Sequence, residues 1–237
     1  MQFSFKRYEK KYMVTNQQAK AVIAALSTRM IPDVYGTYWV QNLYFDNENW
    51  DVIRKSMDKP LYKEKLRLRC YGKPNESGNF FVELKKKYNG VVYKRRIALP
   101  ITALTELLPQ VKAKNDQQIA RELAFYLESN RVKSRMYIAF LRTAFAGVGE
   151  EWLRVTFDTD IVYRQHDLEF VDPERGQPIL PEGYQLMEIK THTSIPLWLS
   201  KVLSENAIYR TSYSKYGTCF TDFTDSMKQK GDELAYA

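Results

Sequence analysis

From Lys63 to Tyr71 the chain reads KEKLRLRCY, with charged and apolar positions alternating from Lys65 to Cys70. On a β-strand that period of two puts Lys63, Lys65, Arg67 and Arg69 on one face and Glu64, Leu66, Leu68 and Cys70 on the other. A half-buried strand with its charges in water gives the same alternation. The pattern recurs, however. Phe80 to Lys87 and Val91 to Leu99 flank Asn89-Gly90, the strongest hairpin signal in the chain, and Pro100 ends the second strand. A two-residue loop sets Tyr88 opposite Val91, Lys85 opposite Lys94 and Glu83 opposite Arg96, all on one face, with Val82, Leu84, Arg95 and Ile97 on the other. Like charges directly opposite destabilise a ladder, so an anion between Lys85 and Lys94 accounts for the pair.

The remaining periodicity predicts a strand over Phe3 to Val14 and a helix over Asn16 to Ser27, with Thr15 and Gln18 as a capping box. Ile31 to Thr37 holds Pro32 and Gly36 and reads as a loop. Tyr38 to Asp46 reads as a strand and Asn49 to Met57 as a short helix. A helix follows over Asp116 to Leu127 and a long strand over Val132 to Phe145. Trp152 to Asp158 sends Leu153, Val155 and Phe157 one way and Arg154, Thr156 and Asp158 the other. Asp167 to Gly183 reads as a loop. Tyr184 to Thr191 is a strand with Glu188 and Lys190 on one face, and Ser194 and Pro196 open a helix to about Asn206. The tail after Phe223 is polar. The pattern is α+β: six or more antiparallel strands, peripheral helices, one domain over residues 1–223 and a polar tail over 224–237. A closed barrel with helices outside it would gather the ionisable faces in its lumen.

Composition sharpens this. The 237 residues are 44% hydrophobic, enough for a real core, and 36 Lys and Arg stand against 28 Asp and Glu, a net charge of +8. The partner is therefore expected to be anionic. Two cysteines and two histidines, His166 and His192, form no zinc-ligand spacing, and a reduced, cytoplasmic setting fits. No signal-peptide run opens the chain and no window is apolar enough for a membrane span. No glycine-rich phosphate loop and no nucleophile triad is present.

The candidate basic residues are Lys11, Arg67, Arg69, Lys85, Lys94, Arg96, Arg142, Arg154 and Lys215, joined by Lys65 and Lys190 on the same faces. Two like charges 4 Å apart repel by about 4 kcal/mol at an effective dielectric of 20. Lining one tunnel with them costs stability unless phosphates or carboxylates neutralise them. The candidate acidic residues are Glu9, Glu83, Asp158 and Glu188. Carboxylates among phosphate-binding cations suit a divalent metal bridging protein and substrate. Plain ion pairing, Glu83 with Arg96 for instance, is the alternative.

Several blocks in order resemble one family: Arg7 to Tyr12 (RYEKKY), Lys65 to Gly72 (KLRLRCYG), Phe81 to Lys87 (FVELKKK), YKRRI from Tyr93, LRTAF from Leu141, LRVTFD from Leu153, MEIKT from Met187 and SYSKYG from Ser212. Together they resemble the VTC domain, the polyphosphate polymerase domain of the triphosphate tunnel metalloenzyme (CYTH-like) superfamily. The resemblance implies an antiparallel barrel whose basic tunnel binds ATP and inorganic polyphosphate, with Mg²⁺ or Mn²⁺ as cofactor and no nucleic acid. It implies that Lys11, Arg67, Arg69, Lys85, Lys94, Arg142, Arg154 and Lys215 are the catalytic tunnel bases and Glu188 the metal-binding glutamate. Arg7 stands where the superfamily has the first glutamate of Glu-x-Glu-x-Lys, and SYSKYG carries one lysine where some members carry two. The chain lacks the regulatory and transmembrane domains of eukaryotic relatives, so it is expected to make or bind polyphosphate without translocating it. A tripolyphosphate or nucleoside triphosphate hydrolase, a non-catalytic polyphosphate sensor and, last, a nucleic-acid-binding barrel are the competing readings.

Overall fold

The computed structural model describes residues 8–72, 79–89, 91–100, 106–114, 117–150 and 152–235. The strands are β1 (Tyr8–Thr15), β2 (Met30–Asp46), β3 (Tyr62–Tyr71), β4 (Asn79–Tyr88), β5 (Val91–Pro100), β6 (Lys133–Gly147), β7 (Arg154–Arg164), β8 (Gln177–Pro178), β9 (Tyr184–Thr191) and β10 (Arg210–Thr211). The helices are α1 (Asn16–Leu26), α2 (Asp51–Met57), α3 (Leu107–Lys112), α4 (Gln118–Ser129), α5 (Leu197–Glu205) and α6 (Lys215–Ala235). Phe3 to Arg7 of the expected first strand, Gly90 of the hairpin and Asp116 of the expected helix lie outside the described residues.

All strand pairings are antiparallel, in the order β10-β1-β9-β7-β6-β2-β3-β4-β5, with β8 beside β7. The expectation of a closed barrel is corrected here. Among the described residues, the sheet ends at β10 on one side and β5 on the other, and these are not paired. β10 is two residues long and offers almost no edge to a further strand. The sheet is nevertheless strongly curled. β1 and β4 lie six strand steps apart, about 29 Å on a flat sheet at ~4.8 Å per step, yet Lys85 Nζ on β4 lies 2.6 Å from Glu9 Oε2 on β1.

The outer face is built from the apolar members of each alternation. Leu66, Leu68, Cys70, Val82, Leu84, Ile97 and Leu99 pack under α3 and α4 through Val111, Leu123 and Leu127. Val14, Val155, Phe157, Met187 and Ile189 pack under α1 and α5 through Val22, Leu26, Leu199 and Leu203. Thr15 caps α1 as its sequence predicts: its hydroxyl accepts from the Gln18 amide at 3.2 Å, and the Gln18 side chain accepts from Thr15 N. A third cluster, Val40, Tyr44, Met136, Ile138, Phe140 and Leu186 with Ile53, Tyr216, Cys219 and Phe220, lies on the inner face, where α2 and α6 cover one end.

Other expectations are corrected. Ile31 to Thr37 is part of β2, and the register slip between Pro32 and Thr37 absorbs both Pro32 and the left-handed Gly36, at φ +61°. The tail expected from residue 224 is the continuation of α6, which starts at Lys215 because Ser214 caps it: Gly217 N donates to Ser214 Oγ at 3.2 Å. Cys70 and Cys219 are both buried, and neither is in a disulfide.

The basic concave face as candidate functional site

Register places the candidate side chains in rows across the inner face, since residues paired across a ladder share a face. Lys65, Lys85 and Lys94 stand abreast on β3, β4 and β5. In the next row Glu83 stands between Arg67 and Arg96, with Tyr44 beyond Arg67. On the other half, Glu9, Lys190 and Arg154 form one row, Lys11, Glu188 and Thr156 the next, and Asp158 and Arg142 another.

Glu83 is fully buried and gathers the β3–β5 cations. Arg67 donates Nε and Nη2 to its Oε2 at 2.9 and 2.7 Å, Arg69 Nε lies at 3.9 Å, Arg96 Nε at 3.7 Å from Oε1, and Lys94 is in direct contact. Burial alone would raise its pKa, but Arg67, Arg69 and Lys94 outweigh it and hold the carboxyl well below the usual range. Tyr44 and Asn42 steady the two arginines: Arg67 Nη1 donates to Tyr44 Oη at 3.2 Å and Arg69 Nε to Asn42 Oδ1 at 2.8 Å. The expected anion between Lys85 and Lys94 is replaced here by divergence. Lys94 turns to Glu83 and Lys85 to Glu9.

Asp158 organises the opposite wall. It is fully buried, accepts a bidentate pair from Arg142 at 2.7 and 2.8 Å, and accepts from Lys215 Nζ at 2.5 Å. Its burial opposes ionisation, but Arg142 and Lys215 bring its pKa down to about 2. Lys190 Nζ lies 2.8 Å from Glu188 Oε1. Lys11 donates to the Tyr213 carbonyl at 2.8 Å, tying β1 to the segment that leads into α6. Arg154 donates to Asp33 at 2.8 Å and is the most exposed of this group.

Several lysines are electrostatically strained, Lys190 among them through its burial. Burial, then the nearness of Lys63, Lys11 and Lys85, lowers Lys65 to about 7; Lys65 Nζ has Ser214 Oγ at 3.3 Å. Burial lowers Lys94 and Lys215 to about 8, although Glu83 and Asp158 respectively pull the other way. Such a surface suits a polyanion: ligand charge would replace internal carboxylates and return protons to these amines.

Sequence reasoning missed Asn42, Tyr44, Asp33, Tyr213 and Ser214 as partners of the cations. Alternation alone puts Asn42 and Tyr44 on one face of their strand. Nothing local says that this face meets Arg67 and Arg69.

Residues 6–223 match the sequence profile of the VTC domain. The chain belongs to the VTC domain family. Over 185 residues it is 24% identical to vacuolar transporter chaperone complex subunit 2 of Saccharomyces cerevisiae, a match covering 67% of this chain and 22% of that protein. The chain thus spans about a fifth of that relative. Among solved structures, a proposed adenylate cyclase of Vibrio parahaemolyticus superposes with a TM-score of 0.49 at 14% identity, covering 92% of this chain and 99% of that one. One from Bacillus halodurans gives 0.48 at 13%, covering 88% and 95%. Among the described residues of this VTC domain, no helix is long and apolar enough to cross a membrane.

The four carboxylates expected as metal ligands do not converge, and no group of three or more His, Cys, Asp or Glu side chains gathers among the described residues. Glu83 and Asp158 are each enclosed by cations, as counter-ions are. Glu9 and Glu188 are paired with lysines as well, Lys85 and Lys190, but they also stand beside each other. They are diagonal neighbours on β1 and β9, close enough that the Glu188 charge opposes ionisation of Glu9. Two neighbouring carboxylates among lysines fit Mg²⁺ or Mn²⁺, which takes one or two protein carboxylates and fills its shell from phosphate and water.

Proposed function

We propose that this VTC domain is a metal-dependent phosphotransferase that moves the γ-phosphoryl group of ATP onto a polyphosphate chain lying along the concave face. The observation that carries this reading is the arrangement of the cations. They line one curled face in rows, and among the described residues they are paired there with the carboxylates of Glu9, Asp33, Glu83, Asp158 and Glu188. Arg67 and Arg69 offer planar forks, and Lys65, Lys85 and Lys94 offer point charges, to successive phosphates. Lys11, Arg142, Arg154, Lys190 and Lys215 hold the opposite wall, with Arg96 beside Glu83. Glu188, with Glu9, would hold the divalent cation, which supplies charge neutralisation at the transferring group when bound. Polyphosphate is already ionised, so positioning and electrostatics do the work and no strong general base is needed. Two buried cysteines, neither in a disulfide, fit a reducing compartment, so the proposed setting is the cytoplasm.

Incubation with ATP and Mn²⁺ or Mg²⁺, with products resolved by chain length, tests this. A ladder that lengthens by one phosphate per ADP released supports transfer. Orthophosphate without a ladder makes the domain a hydrolase. A second reading, polyphosphate binding without turnover, is favoured by the enclosure of Glu83 and Asp158. Tight polyphosphate binding with no product under any metal would establish it.

A further inference from the structure

Thr156 sits in β7 on the concave face, between Arg154 and Asp158 and directly opposite Glu188 on β9 and Ala144 on β6. It is fully buried. Its Oγ1 has no hydrogen-bond partner among the described residues. A buried hydroxyl left unpaired costs about 1–3 kcal/mol, and threonine on an interior strand face is readily replaced by valine of the same shape. The position is therefore expensive unless something completes it. Its neighbours say what. Across one ladder is the Glu188 carboxylate, already drawn well below its usual pKa by Lys190, Lys11 and Lys85 against the effect of burial. Across the other is Ala144, whose buried methyl offers no polar atom. The row holds a hydroxyl oxygen and a carboxylate side by side, with cations flanking them.

We infer that the Thr156 hydroxyl is a ligand-contacting group of the cation seat, donating an oxygen lone pair to the divalent ion that Glu188 holds against a bound phosphate. The inference rests on the metal-dependent reading above and deepens it. A hydroxyl beside a carboxylate is a suitable oxygen pair for Mg²⁺ or Mn²⁺, whose remaining positions go to phosphate and water. Thr156 would thereby fix which oxygen of the glutamate faces the ion.

The test uses Thr156→Val, which keeps shape and removes the hydroxyl, and Thr156→Ser, which keeps the hydroxyl. Mn²⁺ binding is followed by electron paramagnetic resonance in the presence of tripolyphosphate, and tripolyphosphate binding is measured separately in chelator. Thr156→Val is expected to weaken Mn²⁺ on the order of tenfold, the lower end of what loss of a supporting group costs a metal site. It should leave metal-free tripolyphosphate affinity unchanged and the melting temperature of the ligand-free protein the same or higher. Thr156→Ser should bind Mn²⁺ within about twofold of wild type. Mn²⁺ affinity unchanged in Thr156→Val overturns the inference. So does an equal loss of metal-free tripolyphosphate affinity, which would make the hydroxyl a donor to phosphate. A lower melting temperature with unchanged Mn²⁺ binding would make it the partner of a buried water. Wild-type protein that binds tripolyphosphate but no Mn²⁺ overturns both this inference and the metal-dependent reading, whereas Mn²⁺ lost only in the valine variant supports both.

Discussion

Glu83→Gln separates a counter-ion from a metal ligand. The carboxylate is fully buried, and the cations around it differ in exposure: the side chains of Arg69 and Arg67 are 8% and 19% exposed, those of Arg96 and Lys94 35% and 41%. The two exposed partners add little, because water screens them. The two arginines are the desolvated ones, and removing one member of a buried ion pair costs about 3–5 kcal/mol. Glutamine keeps one acceptor, so the lower end applies. At about 2–4 °C per kcal/mol for a chain of this size, ligand-free Glu83→Gln should melt roughly 6–12 °C below wild type. The polyanion effect runs the other way. With no internal carboxylate to displace, tripolyphosphate should bind at least tenfold tighter, about 1.4 kcal/mol, and so raise the variant's melting temperature by more than it raises that of wild type. Thermal melts with and without tripolyphosphate, in chelator, read both numbers. The pH sign is also set. The folded pKa of Glu83 lies below its unfolded value, so its stabilisation is present above about pH 4.5 and is lost as pH falls toward the folded pKa. The gap between variant and wild type should close in acid. Equal melting temperatures at pH 7, or a ligand shift smaller than that of wild type, would refute the counter-ion role.

Asp158→Ala leaves Arg142 and Lys215 facing each other and should destabilise the fold by about 3–5 kcal/mol, seen as an early denaturant midpoint. Glu188→Gln should abolish metal-dependent product formation while metal-free tripolyphosphate binding stays intact or tightens; full activity in this variant would move the cation elsewhere. Because Lys65 lies near 7 when the face is empty, polyanion binding should take up protons between about pH 7 and 10, and affinity should fall as pH rises through that window. Calorimetry in buffers of different ionisation enthalpy measures the uptake, and Lys65→Met should reduce it.

How much of this was legible differs from element to element. The Asn89 turn fixes register by counting, so Lys85 opposite Lys94 and Glu83 opposite Arg96 followed from the chain alone. Alternation fixed which residues share a face, Thr156 included, because a strand has only two faces. It could not tell which strands are neighbours. The Arg154–Asp33 contact spans 121 residues, and the Lys65–Ser214 contact 149. Pro32 and Gly36 read as loop because both weaken a ladder, whereas β2 keeps them as an irregularity between two stretches of regular pairing. The early start of α6 had a signal that polarity masked: Tyr216, Cys219, Phe220 and Phe223 recur at helical spacing, and all pack on the inner cluster. Closure of the barrel was the natural extrapolation from alternating strands, but closure depends on what the two end strands meet, and a two-residue β10 meets little.

The empty face handles its own charge in three ways, and each bears on how a polyphosphate would be held. Lys65, Lys85 and Lys94 stand abreast, a row that repels itself. Lys94 is drawn to Glu83, Lys85 is drawn across the curl to Glu9, and Lys65, with the Ser214 hydroxyl and the Tyr216 ring beside it but no carboxylate in contact, is the amine that gives up its proton near neutrality. The two carboxylates act as internal stand-ins for phosphate, and the lost proton removes what they do not neutralise. The stand-ins are unequal. Glu83 is fully enclosed, while the Lys85–Glu9 pair is 38% and 19% exposed and, screened by water, contributes at most about 1 kcal/mol. An incoming phosphate therefore recruits Lys85 at little cost and Lys94 at more, and frees Glu9 beside Glu188 as it does so. Release of Glu9 on phosphate contact would couple anion binding to completion of the cation seat. Mn²⁺ affinity should then rise when tripolyphosphate is present, and Lys85→Met, in which Glu9 is free from the outset, should lose most of that rise. An undiminished rise in Lys85→Met would show that the two events are independent.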